Sequence, residues 1–350
     1  MPSSPEQYPQ LADIKESGEV KKAPGFELEK SKELDQFAAE ANKIAEAIKE
    51  DKPVLLEQVL ELREALEKMV ESDPRIEAKR LFGEGYMGPE EIEKHFTLEN
   101  GEKLFEYTSE EKQKIVRMLR EKLDDPQIRD LIKRTPKEEL RERFQLFLFP
   151  DKFKDGTPVT MKSLYERFQP EMTRRGLGEL FHGKIDDNDC WYYNKENKEP
   201  FFTSDSNPLS WKLLSRGNLK GSENHDYFEE TKFLREYLRQ NNLATEDELN
   251  ECSDERLVEL RQLNERDWKK AAKQLSEIMI NKNYRINPLE AVFMHSIKES
   301  VLMSARTAKC SSSGGYIYVG FYGHGIGIGQ SWNGNDLTRG ISNLGVALSC

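Results

Sequence analysis

The sequence predicts an α+β protein, in which a helical N-terminal region is followed by a domain with short antiparallel strands. Apolar residues recur at three- and four-residue spacing through most of the first 140 residues. A compact apolar run follows at Phe144–Phe149, and ten of the 22 glycines lie in the last forty residues. Because helical and strand patterns are segregated along the chain, a doubly wound sheet is disfavoured.

Residues 1–26 are polar, contain four prolines and show no periodicity, so we expect them to be disordered. Residues 27–140 are expected to form a helical region. An apolar stripe within 27–72 is interrupted at Pro53, which predicts two helices. These helices could form a hairpin packed on the body, or a short coiled-coil arm through which the chain forms oligomers. Both interpretations stay open at this point.

Several shorter helices are predicted before residue 141. Thr108 stands three residues before Glu111, the spacing of a capping box, and the helix that follows should end near Pro126. A polar helix is expected from Lys137 to Arg143.

The domain predicted for 141–350 begins with a buried strand, Phe144–Phe149. Thr160 should cap a helix, and a dense aromatic stretch from about 181 to 211 predicts short strands and loops. Further helices are expected at about 226–241, 254–280 and 287–303. The glycine-rich tail, 311–350, ends in a predicted strand at Leu344–Leu348.

The bulk charge and hydropathy limit the partners that the chain is expected to have. The net charge is -11, which disfavours binding to nucleic-acid phosphates. No apolar run approaches the ~20 residues of a membrane span, and the N-terminus lacks an apolar signal core. We therefore expect a cytoplasmic protein without a membrane span, and surface display by a signal-free route stays open.

The usual sequence patterns of catalytic and metal sites are missing. The five histidines show no zinc-binding spacing, and no GxSxG motif occurs. The acidic run Asp186–Asp189 lacks the glycine and glutamate positions of an EF-hand loop. Cys190 and Cys252 are expected to be free buried thiols, and no cysteine pair has CxxC spacing. We therefore predict no catalytic residue, no metal site and no cofactor.

The tail is expected to present two different faces. Residues 311–350 contain no Lys, Glu or Met, and apolar residues alternate with small or aromatic ones. The expected inward scaffold comprises Ile317, Val319, Phe321, Trp332, Leu344 and Val346. The expected ligand-binding face comprises Tyr316, Tyr318, Tyr322, His324, Gln330, Ser331, Asn333, Asn335, Asp336 and Arg339. Tyr, Ser and Asn dominate adaptable binding surfaces, because they combine contact area with flexible hydrogen bonding.

The tail also resembles a known family. The pattern Gly315-x-Ile-x-Val-Gly, then Trp332, then Asn343-Leu-Gly-Val346 looks like the variable region of proteins targeted by diversity-generating retroelements. Val346 departs from the usual Phe at that position. The pieces Phe144–Met161, Glu199–Phe202, Trp211–Ser215 and Tyr227–Thr231 are similar to uncharacterised bacterial proteins with the same type of tail.

The resemblance implies a C-type-lectin-like domain of the formylglycine-generating-enzyme type over 141–350. It also implies that the first strand pairs with the last, which would place Leu146–Phe149 beside Leu344–Leu348. The expected function is ligand binding through a diversified surface, with a protein or a surface glycan as the ligand. Two alternatives stay open. One is a structural protein, such as a phage-fibre tip or a scaffold assembled through 27–72. The other is a formylglycine-generating-type oxidase, although Cys310 and Cys350 lie forty residues apart.

Overall fold

A computed structural model describes residues 73–176, 190–194, 198–297, 304–313, 315–322, 325–330 and 346–350. Helices and two three-stranded sheets make up these residues, which confirms the α+β class. The chain divides into two compact units, Met1–Ile76 and Glu77–Cys350. The predicted disordered segment 1–26 and the predicted helices of 27–72 lie outside the described residues. The second unit crosses position 140, where the sequence predicted a domain boundary.

The helices that precede the first long strand follow the expected capping chemistry. At the start of α3 (Ser109–Asp124), Thr108 Oγ1 accepts a hydrogen bond from Glu111 N (3.2 Å), and Glu111 Oε2 accepts one from Thr108 N (2.9 Å). This reciprocal pair satisfies two free amides of the first turn, so the predicted capping box is confirmed. The elements in this part of the chain are α1 (Pro74–Phe82), β1 (Tyr86–Met87), α2 (Pro89–His95), α3 (Ser109–Asp124), α4 (Pro126–Arg134) and α5 (Lys137–Arg143).

The first sheet has the order β1-β2-β3, with β2 at Phe144–Phe149 and β3 at Ser210–Ser215. β2 pairs in parallel with β1 and antiparallel with β3. All six β2 side chains are buried, as the apolar run predicted. Alternate β2 side chains enter two separate hydrophobic clusters, with Leu146 in one and Phe147 in the other. The sheet therefore separates two cores, which is why this strand is apolar on both faces.

Residues Val346–Cys350 extend this sheet beyond β3. Leu213 N donates to Cys350 O at 2.7 Å, and Ser215 N donates to Leu348 O at 3.0 Å. The expectation that this segment lies beside Leu146–Phe149 is therefore wrong. Because β1 and β3 already occupy both edges of β2, the segment pairs with the far edge of β3 instead. On its other side, Ile286 N donates to Ala347 O at 3.0 Å.

The structure describes eight further helices after β2. The predicted helix 254–280 is interrupted at Asp267, whose Oδ1 accepts from Lys270 N and so starts a new helix. The expected helix at 287–303 is described as far as Ile297. The elements are α6 (Met161–Arg174), α7 (Pro200–Thr203), α8 (Tyr227–Gln240), α9 (Glu246–Glu251), α10 (Asp254–Arg266), α11 (Trp268–Glu277), α12 (Met279–Tyr284) and α13 (Pro288–Ile297). Thr160 Oγ1 caps α6, as predicted.

His295 on α13 makes the stability of this core depend on pH. Burial lowers the pKa of His295 from 6.5 to about 4. The unfolded chain therefore binds more protons than the folded chain between these pH values, and stability falls as pH drops below 6.5. The expected loss at pH 5 is about 2 kcal/mol. Urea unfolding of wild type and His295→Leu at pH 7.5 and pH 5 measures this loss of stability. Between these pH values the wild type should lose more stability than the variant. Equal losses would contradict the lowered pKa of His295.

Candidate functional site

The second sheet contains the first half of the predicted binding tail. Its strands are β4 (Ser304–Cys310), β5 (Tyr316–Tyr322) and β6 (Gly325–Gln330), all antiparallel in that order. β5 is central, with Val319 opposite Ala305 on β4 and opposite Ile328 on β6. β4 was not predicted from the sequence, because SARTAKC carries neither the glycines nor the regular apolar alternation of the tail.

The apolar scaffold residues that can be described are all buried. Ile317, Val319 and Val346 have no exposed surface. Ile317 and Val319 belong to the same hydrophobic cluster as α13, whereas Val346 belongs to the other cluster. These positions have the burial expected of a scaffold. The side chain of Phe321, and all of Trp332 and Leu344, lie outside the described residues.

Tyr316 is buried, so the prediction that it lies on an exposed ligand-binding face is wrong. It is 1% exposed, and its ring stacks on Tyr227 with the centroids 3.7 Å apart. Its hydroxyl donates to Ala272 O at 2.6 Å, and burial raises the pKa of the phenol well above its usual value. Period-two alternation predicts that a strand has two faces, but not that one of them meets solvent. Here α8 and α11, which carry Tyr227 and Ala272, cover the second face at Tyr316.

A buried ion pair lies behind this tyrosine stack. The Arg285 guanidinium carbon lies 4.1 Å from the centre of the Tyr227 ring. Arg285 Nη1 lies 2.8 Å from Glu230 Oε2, and both side chains have no exposed surface. Arg285 Nε also donates to Asn281 Oδ1 at 3.1 Å. The face that the sequence assigned to ligand binding is therefore, at Tyr316, an internal layer of aromatic and charged groups.

The remaining predicted ligand-binding residues fall into three groups. Gln330 is buried, and its Oε1 accepts from Ser313 Oγ at 3.2 Å, so its expected display is also wrong. Tyr318 is half-buried. The side chain of Tyr322, and all of His324, Ser331, Asn333, Asn335, Asp336 and Arg339, lie outside the described residues.

A buried carboxylate holds the turn between β4 and β5. Glu199, at the start of α7, is 1% exposed. Its Oε2 accepts from Ser312 N at 2.7 Å, and its Oε1 accepts from Ser312 Oγ at 2.5 Å. A carboxylate that accepts both a backbone and a side-chain donor fixes the position of that turn. Glu199 and Ser312 are 113 residues apart, so this partnership has no signal in sequence spacing.

A polar cavity of about 320 Å³ lies beside the end of β4. Its walls come from the loop after α7, the start of α13 and Lys309 of β4. Asn207 and Asn287 meet within it, with Asn287 Nδ2 donating to Asn207 Oδ1 at 3.0 Å. No sequence pattern predicted this cavity. Asn287 could have been found, because Asn-Pro-Leu-Glu has the spacing of a helix N-cap followed by a carboxylate at the third position.

The two cysteines required by the oxidase alternative contact different parts of the fold. Cys310 Sγ lies 3.6 Å from Ala272 O, and Cys350 Sγ lies 3.7 Å from Leu213 O. Burial raises the pKa of Cys310 to about 12 and raises the pKa of Cys350 as well. Both groups are therefore protonated thiols at neutral pH in the metal-free chain. Cys252 is buried, as expected, whereas Cys190 is only half-buried.

The described residues also bear on two other classes of site. They hold no cluster of three or more His, Cys, Asp or Glu side chains placed to share a metal ion. Among the helices that the structure describes, none has the length and apolar character needed to cross a membrane. The acidic run Asp186–Asp189 lies outside the described part of the chain.

Comparison of the chain with known protein families, with curated proteins and with solved structures finds no match.

Proposed function

We propose that this protein binds a macromolecular ligand, either a protein or a surface glycan, through a diversified surface on a C-type-lectin-like scaffold. The ligand contacts are assigned to Tyr318, Tyr322, His324, Ser331, Asn333, Asn335, Asp336 and Arg339. Tyr316 and Gln330 are withdrawn from the binding set because they are buried. No catalytic step is required.

The observation that carries the proposal is the anchoring of both ends of the segment 331–345. The chain enters this segment from Gln330, which is buried and bonded to Ser313. It leaves at Val346, whose N–H donates to Ser222 Oγ at 3.0 Å and whose side chain has no exposed surface. A rigid scaffold on both sides allows residues in between to change without loss of the fold. Most of the assigned ligand contacts lie between these two anchors.

The composition of the assigned set favours a large ligand. Tyr, His, Asn and Asp offer hydrogen bonds and flat contact area, which suit a macromolecular surface. Binding sites for small molecules are instead concave and mostly apolar.

The first test uses paired substitutions. Asn335→Ala with Asp336→Ala should weaken binding to a protein or glycan ligand at least about tenfold while changing the free energy of unfolding by less than about 0.5 kcal/mol. The ligand is identified first on arrays of surface glycans and of immobilised proteins. The matched control is Asn250→Ala with Asp247→Ala on α9, where both residues are exposed. Equal binding by the two double variants would contradict the proposal.

The second test is genetic. A near-copy of the codons for 315–343, differing at adenines and lying beside a reverse transcriptase gene, is expected in the flanking DNA. Natural variants should then differ at the assigned contacts and keep Ile317, Val319 and Val346. Variants that change those three residues as often as their neighbours would exclude a diversified surface.

A further inference from the structure

A short path of hydrogen bonds connects the turn between β4 and β5 to the end of β6. Gly315 N donates to Ser311 Oγ at 3.1 Å, and Ser311 Oγ lies 2.9 Å from Ser313 Oγ. Ser313 Oγ donates to Gln330 Oε1 at 3.2 Å. Because the Ser313 proton points to Gln330, the proton between the two serines comes from Ser311. The path therefore has one direction and ends on the last residue of β6.

Gln330 is the residue through which this turn can affect the tail. It is buried, and its backbone pairs with Ile317 on β5. The side-chain bond to Ser313 is a second attachment, which joins the end of β6 to the turn between the other two strands. The position of that turn therefore helps to fix the point at which the chain leaves β6.

Glu199 holds the middle residue of the turn from outside the sheet. It occupies the N-cap of α7, where a side chain usually accepts from the first helical turn, but it makes no such bond. Its two carboxylate oxygens instead accept from Ser312, one from the backbone N–H at 2.7 Å and one from the hydroxyl at 2.5 Å. Hydrogen bonds to an ionised carboxylate are roughly twice as strong as those between neutral groups.

The backbone around Glu199 makes this carboxylate a rigid support. Glu199 N donates to Tyr192 O at 3.0 Å, and Glu199 O accepts from Phe202 N at 3.1 Å. Phe202 has no exposed surface and belongs to the hydrophobic cluster that also contains Ile317. A side chain supported in this way holds its partner in one place.

We propose that Glu199 is a positioning residue for the segment that follows β6. It holds Ser312, and the serine turn in turn holds Gln330. Glu199 is too deeply buried to touch a ligand, so it acts only through the turn. Its effect on ligand binding rests on the function proposed above, because most of the assigned contacts follow Gln330 in the chain.

The experiment measures amide hydrogen exchange at single residues of the full chain by NMR. Glu199→Leu removes both acceptors at a similar volume. It should speed exchange at least about tenfold at Ser312 and at least about threefold at Gly329, which pairs with Tyr318 at the end of β6.

Ser313→Ala tests the path from the turn to β6. It removes only the bond to Gln330, so exchange should rise at Gly329 and stay unchanged at Ser312. Combined with Glu199→Leu, it should add nothing further at Gly329, because both changes interrupt the same path. If Glu199→Leu does not fold, Ser312→Ala takes its place, since it removes the hydroxyl bond alone.

The matched control is Glu93→Leu. Glu93 is another buried carboxylate that accepts from a distant backbone N–H, that of Tyr107 at 3.1 Å. This variant should also lose stability but leave exchange at Gly329 within about twofold of wild type, because a strand end opens locally without global unfolding. The positioning is overturned if Glu199→Leu leaves exchange at Gly329 unchanged, if Glu93→Leu speeds it equally, or if the effects of Glu199→Leu and Ser313→Ala are additive in free energy.

Binding is measured separately, with the array ligand on which the wild type and the double variant Asn335→Ala with Asp336→Ala differ. Glu199→Leu and Ser313→Ala should each bind this ligand at least about threefold more weakly. Wild-type binding by both variants would exclude a role for Glu199 in ligand binding. If the wild type binds no array ligand, the proposed function fails, and exchange at Gly329 still decides whether Glu199 positions β6.

Discussion

Replacing Glu230 with alanine is expected to lower the free energy of unfolding by about 3–5 kcal/mol. Its carboxylate is the charge partner of Arg285, and neither side chain has any exposed surface. Without Glu230 the guanidinium stays charged in the core, since an arginine does not lose its proton in a protein. Asn281 then provides a hydrogen bond but no compensating charge. Urea unfolding of wild type and Glu230→Ala at pH 7.5 measures the loss.

Two comparisons separate this effect from a general loss of contacts. Glu230→Leu combined with Arg285→Met removes both charges and should recover most of the lost stability. Glu139→Ala breaks an exposed pair with Arg143, whose atoms lie 2.7 Å apart, and should cost no more than about 1 kcal/mol. If Glu230→Ala also lowered the free energy of unfolding by no more than about 1 kcal/mol, Arg285 would have to reach water and the ion pair would not be buried.

Tyr316→Ala is expected to lower the free energy of unfolding by about 3–5 kcal/mol. The ring is fully enclosed between β5 and the helices α8 and α11, and its removal leaves a cavity beside Tyr227. A residue displayed for ligand contact would tolerate the same change with less than about 0.5 kcal/mol of lost stability. Thermal and urea unfolding therefore distinguish an internal tyrosine from a displayed one.

Tyr316→Phe provides the conservative control. It keeps the ring and removes only the hydroxyl that donates to Ala272 O, so it should cost about 1 kcal/mol. Tyr318→Ala, at a half-buried position on the same strand, should cost less than Tyr316→Ala. If Tyr318→Ala proves the more damaging of the two, the assignment of the strand faces is wrong.

Local features of the fold could be predicted from the sequence because they depend on short-range chemistry. The capping hydroxyls of Thr108 and Thr160 and the buried strand Phe144–Phe149 are all specified by residues within a few positions of each other. Strand pairing could not be predicted in this way. Which strand lies next to Val346–Cys350 depends on which sheet edge remains open, and that edge is determined by residues more than a hundred positions away.

The candidate sites, too, could be predicted only where they depend on residues close together in the sequence. Alternation correctly separated Ile317 and Val319 from Tyr316, but the partner of each face is set by the packing of distant helices. The cavity at Asn207 joins residues 207, 287 and 309, and their proximity has no signal in sequence spacing. The Asn287 cap was visible in the sequence, whereas its hydrogen bond to Asn207 follows only from the three-dimensional arrangement.

The late position of Val346–Cys350 in the chain has a consequence during synthesis. The backbone of Leu213 on β3 pairs with Cys350, which is synthesised 137 residues later, so this edge of β3 stays unpaired until then. At ribosomal elongation rates of about 5–20 residues per second, this interval lasts roughly 7–27 s. An unpaired strand edge is a template for pairing with other chains, so the nascent polypeptide is open to aggregation at this edge during that interval.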